Sequence, residues 1–250
     1  MNNKTNKALT IILIISGLLF IFSSSILLPM LSRNFYFFWA KQLNILDDLN
    51  VYAAPYLGRN ATFADIKDAY NSVMDFIWKG FNFPSNSAKP GHFLTGSLPL
   101  SLNGKSHFED CIFWFWLDFD IFLITGIILI TLLVLRILKK FNPITIWGYS
   151  PLFLLGLISI SVITIICIAI CLAPSFADAY IVFHKIIFLG RETWYFDFNE
   201  DMFVNMLPIR YVIVVAITIV SLISIQSIAA IIYSVIKKIK TNKKEAPNLN

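Results

Sequence analysis

A chain of 250 residues that is 57% hydrophobic and only 14% charged departs from an ordinary soluble domain, in which about a quarter of residues are charged. Its mean hydropathy of +0.72 and 15% aromatic content exclude a disordered, solvated chain. The net charge of +5 leaves nucleic acid open as a partner until the placement of the charges is known.

The apolar residues fall into four blocks, at 8–31, 111–138, 151–174 and 211–236. Each reaches the roughly 18 to 20 residues that a helix needs to cross the hydrocarbon of a bilayer. The first has a basic start and runs into Ser23, Ser24 and Ser25, as a secretory signal peptide does. It has no A-x-A-like cleavage site and stays apolar to Leu31, so it reads as a retained helix.

With the N-terminus inside, the cytoplasmic pieces carry Lys4, Lys7, Arg136, Lys139, Lys140, Lys237, Lys238, Lys240, Lys243 and Lys244 against a single acid, Glu245. That bias predicts both termini in the cytoplasm. The basic excess then reports topology and attraction to anionic lipid heads, with no nucleic acid required. The expected fold is an all-α integral membrane domain over 1–250 with outer segments at 32–110 and 175–210. All three histidines, His92, His107 and His184, fall in the outer segments. A Gly-rich nucleotide loop, CxxC and HExxH are all missing, which argues against energy-coupled transport and a zincin-type metal site.

Within the first outer segment, Phe63, Ile66, Tyr70, Val73, Met74, Ile77, Trp78 and Phe81 recur at helical spacing. Thr62 is the expected cap, with Asp65 three residues on. This amphipathic helix packs either on its own protein or on the outer leaflet. Asn60-Ala61-Thr62 matches a glycosylation acceptor, but Thr62 is better used as the cap. A turn region follows from Pro84 to Pro90. Leu98, Leu100 and Leu102 alternate before Asn103-Gly104, which predicts a short β-hairpin turning there.

The run SHFEDCIFWFWLDFD, Ser106 to Asp120, has capping-box spacing between Ser106 and Glu109. A helix is therefore expected to start with His107, and the helical step puts His107, Asp110, Cys111, Trp114 and Asp118 on one face. The dipole at a helix N-terminus would help keep His107 neutral. Cys167 and Cys171, one turn apart, read as packing residues, and three thiols imply no disulfide framework.

In the second outer segment Ser175 and Asp178 repeat the capping spacing, and Gly190 suits a helix end. His184 lies in an apolar, aromatic stretch where a lone histidine is more often a core residue than a catalyst. Trp194, Tyr195 and Phe196 suit a headgroup zone, and Leu207-Pro208 marks entry to the last helix.

The stretch from Phe183 to Pro208, FHKIIFLGRETWYFDFNEDMFVNMLP, resembles a signature of the bacterial lipoprotein intramolecular transacylases. Phe183, His184, Phe188, Gly190, Trp194, Phe196, Asp201, Leu207 and Pro208 fit, and Ile187 replaces a Phe. The family's second signature, His-Met-x-Asp-Val, resembles His107 to Cys111, with Phe108 and Cys111 standing for Met and Val. Gly104 and Lys105 occupy the region where the family usually has a Glu.

The resemblance implies an acyltransferase of the bacterial cell membrane with its active face outside. Its substrates would be membrane lipoproteins within the lipid bilayer. The amino group of the lipoprotein's N-terminal diacylglyceryl-cysteine attacks its own sn-2 ester, giving the N-acyl lyso form. Such a reaction needs a base, an acid and oxyanion donors, and no protein nucleophile. His107 and His184 are the implied base and acid in either order, Asp110 an orienting carboxylate, and Trp194, Arg191, Trp114 and Asp118 pocket residues. No metal and no cofactor is implied. A non-catalytic scaffold that binds lipid or a partner is the alternative, and it predicts His107 and His184 far apart. An acyl-transfer site predicts them on the order of 10 Å or less apart.

Overall fold

In lipid a chain must satisfy its backbone polar groups internally, and helices do so within one segment. The computed structural model, which describes residues 2–86 and 89–245, follows that rule. Eight α-helices are described: α1 Asn3–Leu31, α2 Arg33–Gln42, α3 Ile45–Leu57, α4 Phe63–Lys79, α5 Leu102–Ile137, α6 Pro151–Leu172, α7 Phe176–Ile187 and α8 Ile209–Glu245. Two short strands, β1 Phe93–Thr95 and β2 Leu98–Leu100, and a 3-10 helix at Met202–Met206 complete the elements. Helices α1, α5, α6 and α8 are long and apolar enough to cross a membrane. Ile124, Ile127 and Ile130 of α5 are exposed, an apolar stripe that water would penalise and lipid would not. Ser87 and Ala88 of the expected Pro84 to Pro90 turn lie outside the described residues.

The chain divides into two compact units. One comprises Asp118–Ile170 with the described parts of Met1–Leu27 and Thr218–Asn250. Its core gathers Ile21, Leu155, Ile163 and Ile223. The Gln226 amide donates to Ser25 Oγ at 3.0 Å, a polar link between α1 and α8 of the kind that fixes apolar helices against each other.

The other unit comprises Leu28–Leu117 and Cys171–Ile217. Helix α4 supplies much of its core through Ile66, Ala69, Tyr70, Val73, Met74, Phe76 and Ile77, packed with Tyr36, Ile45, Leu49, Leu98, Leu100 and Met206. The amphipathic stripe therefore finds its partner within the protein. The Asp65 carboxylate accepts from the Thr62 backbone N–H and hydroxyl, each at 2.7 Å, so Thr62 serves the start of α4.

Strands β1 and β2 pair antiparallel, with Phe93 opposite Leu100 and Thr95 opposite Leu98. The hairpin exists, but its turn is Gly96-Ser97 rather than Asn103-Gly104. Gly96 has φ +60°, and a Cβ there would lie 2.9 Å from that of Asp68. Only glycine fits both the turn and the approach to α4.

Helix α5 also starts earlier than expected. Ser101 Oγ accepts from the Gly104 N–H at 3.0 Å, and the Ser101 carbonyl accepts from the Lys105 N–H at 3.0 Å. Ser106 and Glu109 lie inside the helix, where Glu109 pairs with Lys105 at 2.7 Å. Capping-box spacing also occurs within a helix. Here Ser101 wins because the buried Asp201 carboxylate accepts its N–H at 2.7 Å. A Cβ at Gly104 would sit 2.5 Å from that carboxylate, so the close approach requires glycine. His107 becomes a second-turn residue, beyond the reach of a dipole effect that fades within the first turn.

Candidate active site

Helix α7 begins as its sequence requires: Ser175 Oγ accepts from the Asp178 N–H at 3.1 Å. It ends at Ile187, where Leu189 and Gly190 both take positive φ. The chain then turns back and lays Trp194 on His184, their ring centroids 5.1 Å apart. His107 on α5 and His184 on α7 are 7% and 6% exposed. Their ring centroids are 6.1 Å apart.

Aromatic rings surround the pair. Phe188 lies 4.9 Å and Phe196 5.2 Å from the His107 ring, and Tyr180 lies 3.9 Å from the His184 ring. His184 Nδ1 is 2.9 Å from the Tyr180 carbonyl oxygen. A carbonyl only accepts, so Nδ1 carries the hydrogen, and in the neutral ring Nε2 keeps its lone pair. Burial lowers the His184 pKa from its ordinary value, and the bond to the Tyr180 backbone opposes the shift. His107 Nε2 is 3.4 Å from Cys111 Sγ, one turn along α5, while its buried Nδ1 has no hydrogen-bond partner among the described residues.

Asp110 faces the loop rather than an imidazole. Its carboxylate accepts from Arg191 Nη1 and, at 3.0 Å, from Thr193 Oγ1. The Trp194 indole N–H donates to the Arg191 carbonyl at 2.9 Å, and Asn103 Nδ2 donates to the Tyr195 carbonyl at 3.0 Å. Asp110 thus holds the loop that carries Trp194, and any effect on His184 passes through that loop. Trp194 is buried at 5% exposure instead of standing outward in a headgroup zone.

Trp114 and Asp118 do not join the cluster. They share the azimuth of His107, but seven and eleven residues at about 1.5 Å rise carry them roughly 10 and 16 Å further along the axis. Trp114 is 37% exposed and its ring contacts Phe113, while the Asp118 carboxylate bonds Ser23 of α1. The sequence reading missed Tyr180, Thr193 and the packing roles of Phe188 and Phe196. The available signal was the i, i+4 spacing of Tyr180, His184 and Phe188, which puts all three on one side of a helix. Among the described residues no cluster of His, Cys, Asp and Glu suits a metal ion.

The family model described as lipoprotein intramolecular transacylase Lit matches residues 11–212. No curated protein sequence matches. Among solved structures, the chain is similar to the membrane integral lipoprotein intramolecular transacylase Lit from Bacillus cereus, at 21% identity and a TM-score of 0.72 over 98% of this chain and 100% of that one. A histidine-to-arginine variant of the same protein matches at 20% identity and a TM-score of 0.68, covering 97% of this chain and 95% of the other. At these identities the likeness establishes the fold.

Proposed function

The chain belongs to the lipoprotein intramolecular transacylase family, and from that premise we propose that His107 and His184 are its proton-transfer pair. The family's reaction is acyl transfer within one lipoprotein molecule. The free amine of the N-terminal diacylglyceryl-cysteine attacks the carbonyl carbon of the sn-2 ester. A C–N bond forms, the bond from the carbonyl carbon to the glycerol oxygen breaks, and the product is an N-acyl chain beside a free glycerol hydroxyl. One proton leaves the amine and one reaches the glycerol oxygen, so the atoms balance without a protein nucleophile.

His184 suits the base, because its Nδ1–H is fixed on the Tyr180 carbonyl and Nε2 is the accepting nitrogen. The amine's proton passes from His184 to His107, directly or through water, and His107 delivers it to the glycerol oxygen. The observation that carries this reading is the 6.1 Å separation of the two rings, short enough for both to reach one ester. Asp110 acts as a positioning residue through Arg191 and Thr193, and Trp194 walls the site beside His184. The charge bias places both termini in the cytoplasm and the histidine pair on the outer side of a bacterial cell membrane.

The test is mass spectrometry of a lipoprotein's N-terminal peptide from cells with and without this protein. The diacylglyceryl form and the N-acyl lyso form have equal mass, and fragmentation separates them. Appearance of the lyso form only with the protein supports the assignment, and its absence under good expression overturns it.

A further inference from the structure

Acyl transfer from ester to amine passes through a tetrahedral species whose former carbonyl oxygen carries negative charge. Preorganised donors at that oxygen lower the barrier as much as any other device an active site uses. Two candidate donors beside the histidines are each held by another group. The Arg191 guanidinium bonds Asp110 and is 68% exposed, and the Trp194 indole N–H points at the Arg191 carbonyl. The Cys111 thiol is a weak donor and lies against His107 Nε2.

The phenol of Tyr180 remains. Its ring is tilted 44° to His184 with centroids 3.9 Å apart, so its hydroxyl lies within the neighbourhood of the imidazole. Among the described residues that hydroxyl has no hydrogen-bond partner. Tyr180 is half-buried, and its hydroxyl is not among the buried polar atoms without a partner, so it remains open to a bound group.

We propose that Tyr180 is a further catalytic residue, whose hydroxyl donates a hydrogen bond to the oxyanion formed on the ester carbonyl of the lipoprotein's acyl chain. The inference rests on the transacylase reading of the histidine pair. Burial raises the phenol pKa to about 12, with the Cys111 thiol a lesser cause. At neutral pH the group therefore keeps the hydrogen that the oxyanion needs. Tyr180 then serves the reaction at both ends: its backbone fixes the His184 tautomer and its side chain meets the charge that develops.

The test is Tyr180→Phe in the full-length membrane protein, with lyso product followed by mass spectrometry as a function of lipoprotein concentration. The expected result is a kcat lower by roughly 10²- to 10³-fold, as for loss of one oxyanion donor. KM and abundance in the membrane should stay near wild type, because the bond forms only in the transition state. Turnover at the wild-type rate in Tyr180→Phe, beside inactive His184→Gln, overturns the Tyr180 assignment and leaves the histidine reading standing. Wild-type turnover in both variants overturns both. If Tyr180→Phe is lost from the membrane, a fluorinated tyrosine at position 180 decides: it keeps the shape and makes the phenol a stronger acid. A rate that follows phenol acidity supports the donor role, and an unchanged rate overturns it.

Discussion

The His107 and His184 rings approach to 6.1 Å although they stand on different helices and are each nearly sealed from solvent. Two imidazoles at this distance are not both comfortably protonated to imidazolium, since like charges in a buried site disfavour each other. The arrangement suits the passage of one proton at a time.

Replacing His184 by Gln or Ala should abolish formation of the lyso lipoprotein while leaving the protein in the membrane, because proton transfer contributes typically 10²- to 10⁴-fold. His107→Ala should do the same. His92 contacts Glu200 and Pro90 instead of the pair, so His92→Ala should stay close to wild type. Mass spectrometry of the product reads all three, and full activity in His184→Ala would return that residue to a packing role.

Asp110→Asn should give a partial loss, because the amide can accept only part of what the carboxylate accepts from Arg191 and Thr193. Thr193→Val should move activity in the same direction by a smaller amount. Equal activity of Asp110→Asn and wild type would disconnect the loop from catalysis.

His184 should titrate below the ordinary histidine value of about 6.5, because burial favours its neutral form. A lowered folded pKa makes the folded state bind fewer protons than the unfolded chain. Its effect on stability is therefore nil above about 6.5 and destabilising as pH falls below that value. NMR of histidine-labelled protein, with three histidines assigned by single substitutions, checks the shift. A midpoint for His184 at or above 6.5 would contradict it.

Asp65 ties α4 to its surroundings: Arg59 bonds it at 2.7 and 2.9 Å, Ser97 at 2.8 Å and Thr62 twice at 2.7 Å. Arg59 first, aided by Thr62 and Ser97, holds its pKa well below the ordinary carboxylate range. Asp65→Asn should lose about 1.5 to 3 kcal/mol, the usual value of a hydrogen bond to a charged group. The carboxylate's contribution is complete above the ordinary aspartate pKa of about 3.9 and fades as pH falls toward its lowered folded value. Thermal unfolding in detergent across acidic pH compares the two proteins, and equal midpoints near neutral pH would count against the role.

Reporter fusions after Lys140 and Lys244 should read cytoplasmic, and fusions near Lys89 and Glu200 external, as the lysine and arginine bias requires. A cytoplasmic reading near Glu200 would put the histidine pair on the other face of the membrane.

Local patterns alone determined several features of this protein. Four apolar runs specify membrane helices because a backbone in lipid has to bond to itself. Thr62 with Asp65, and Ser175 with Asp178, mark helix starts because a short polar side chain there reaches free N–H groups. The stripe of α4 announced a buried face without naming its partner, and the core around Tyr36 and Met206 supplied it. Other features were decided in three dimensions. Ser101, not Ser106, begins α5 because Asp201, distant in sequence, accepts its N–H. Asp118 shares a helical face with His107, yet Ser23 takes its carboxylate, since a helical wheel records direction and not distance along the axis. Tyr180 stands in a largely apolar run, where only its i, i+4 spacing to His184 marks it. Its standing beside His184 follows from helical spacing within α7, but the approach of His107 from α5 to that pair comes from packing between segments far apart in the chain, which no window of sequence contains.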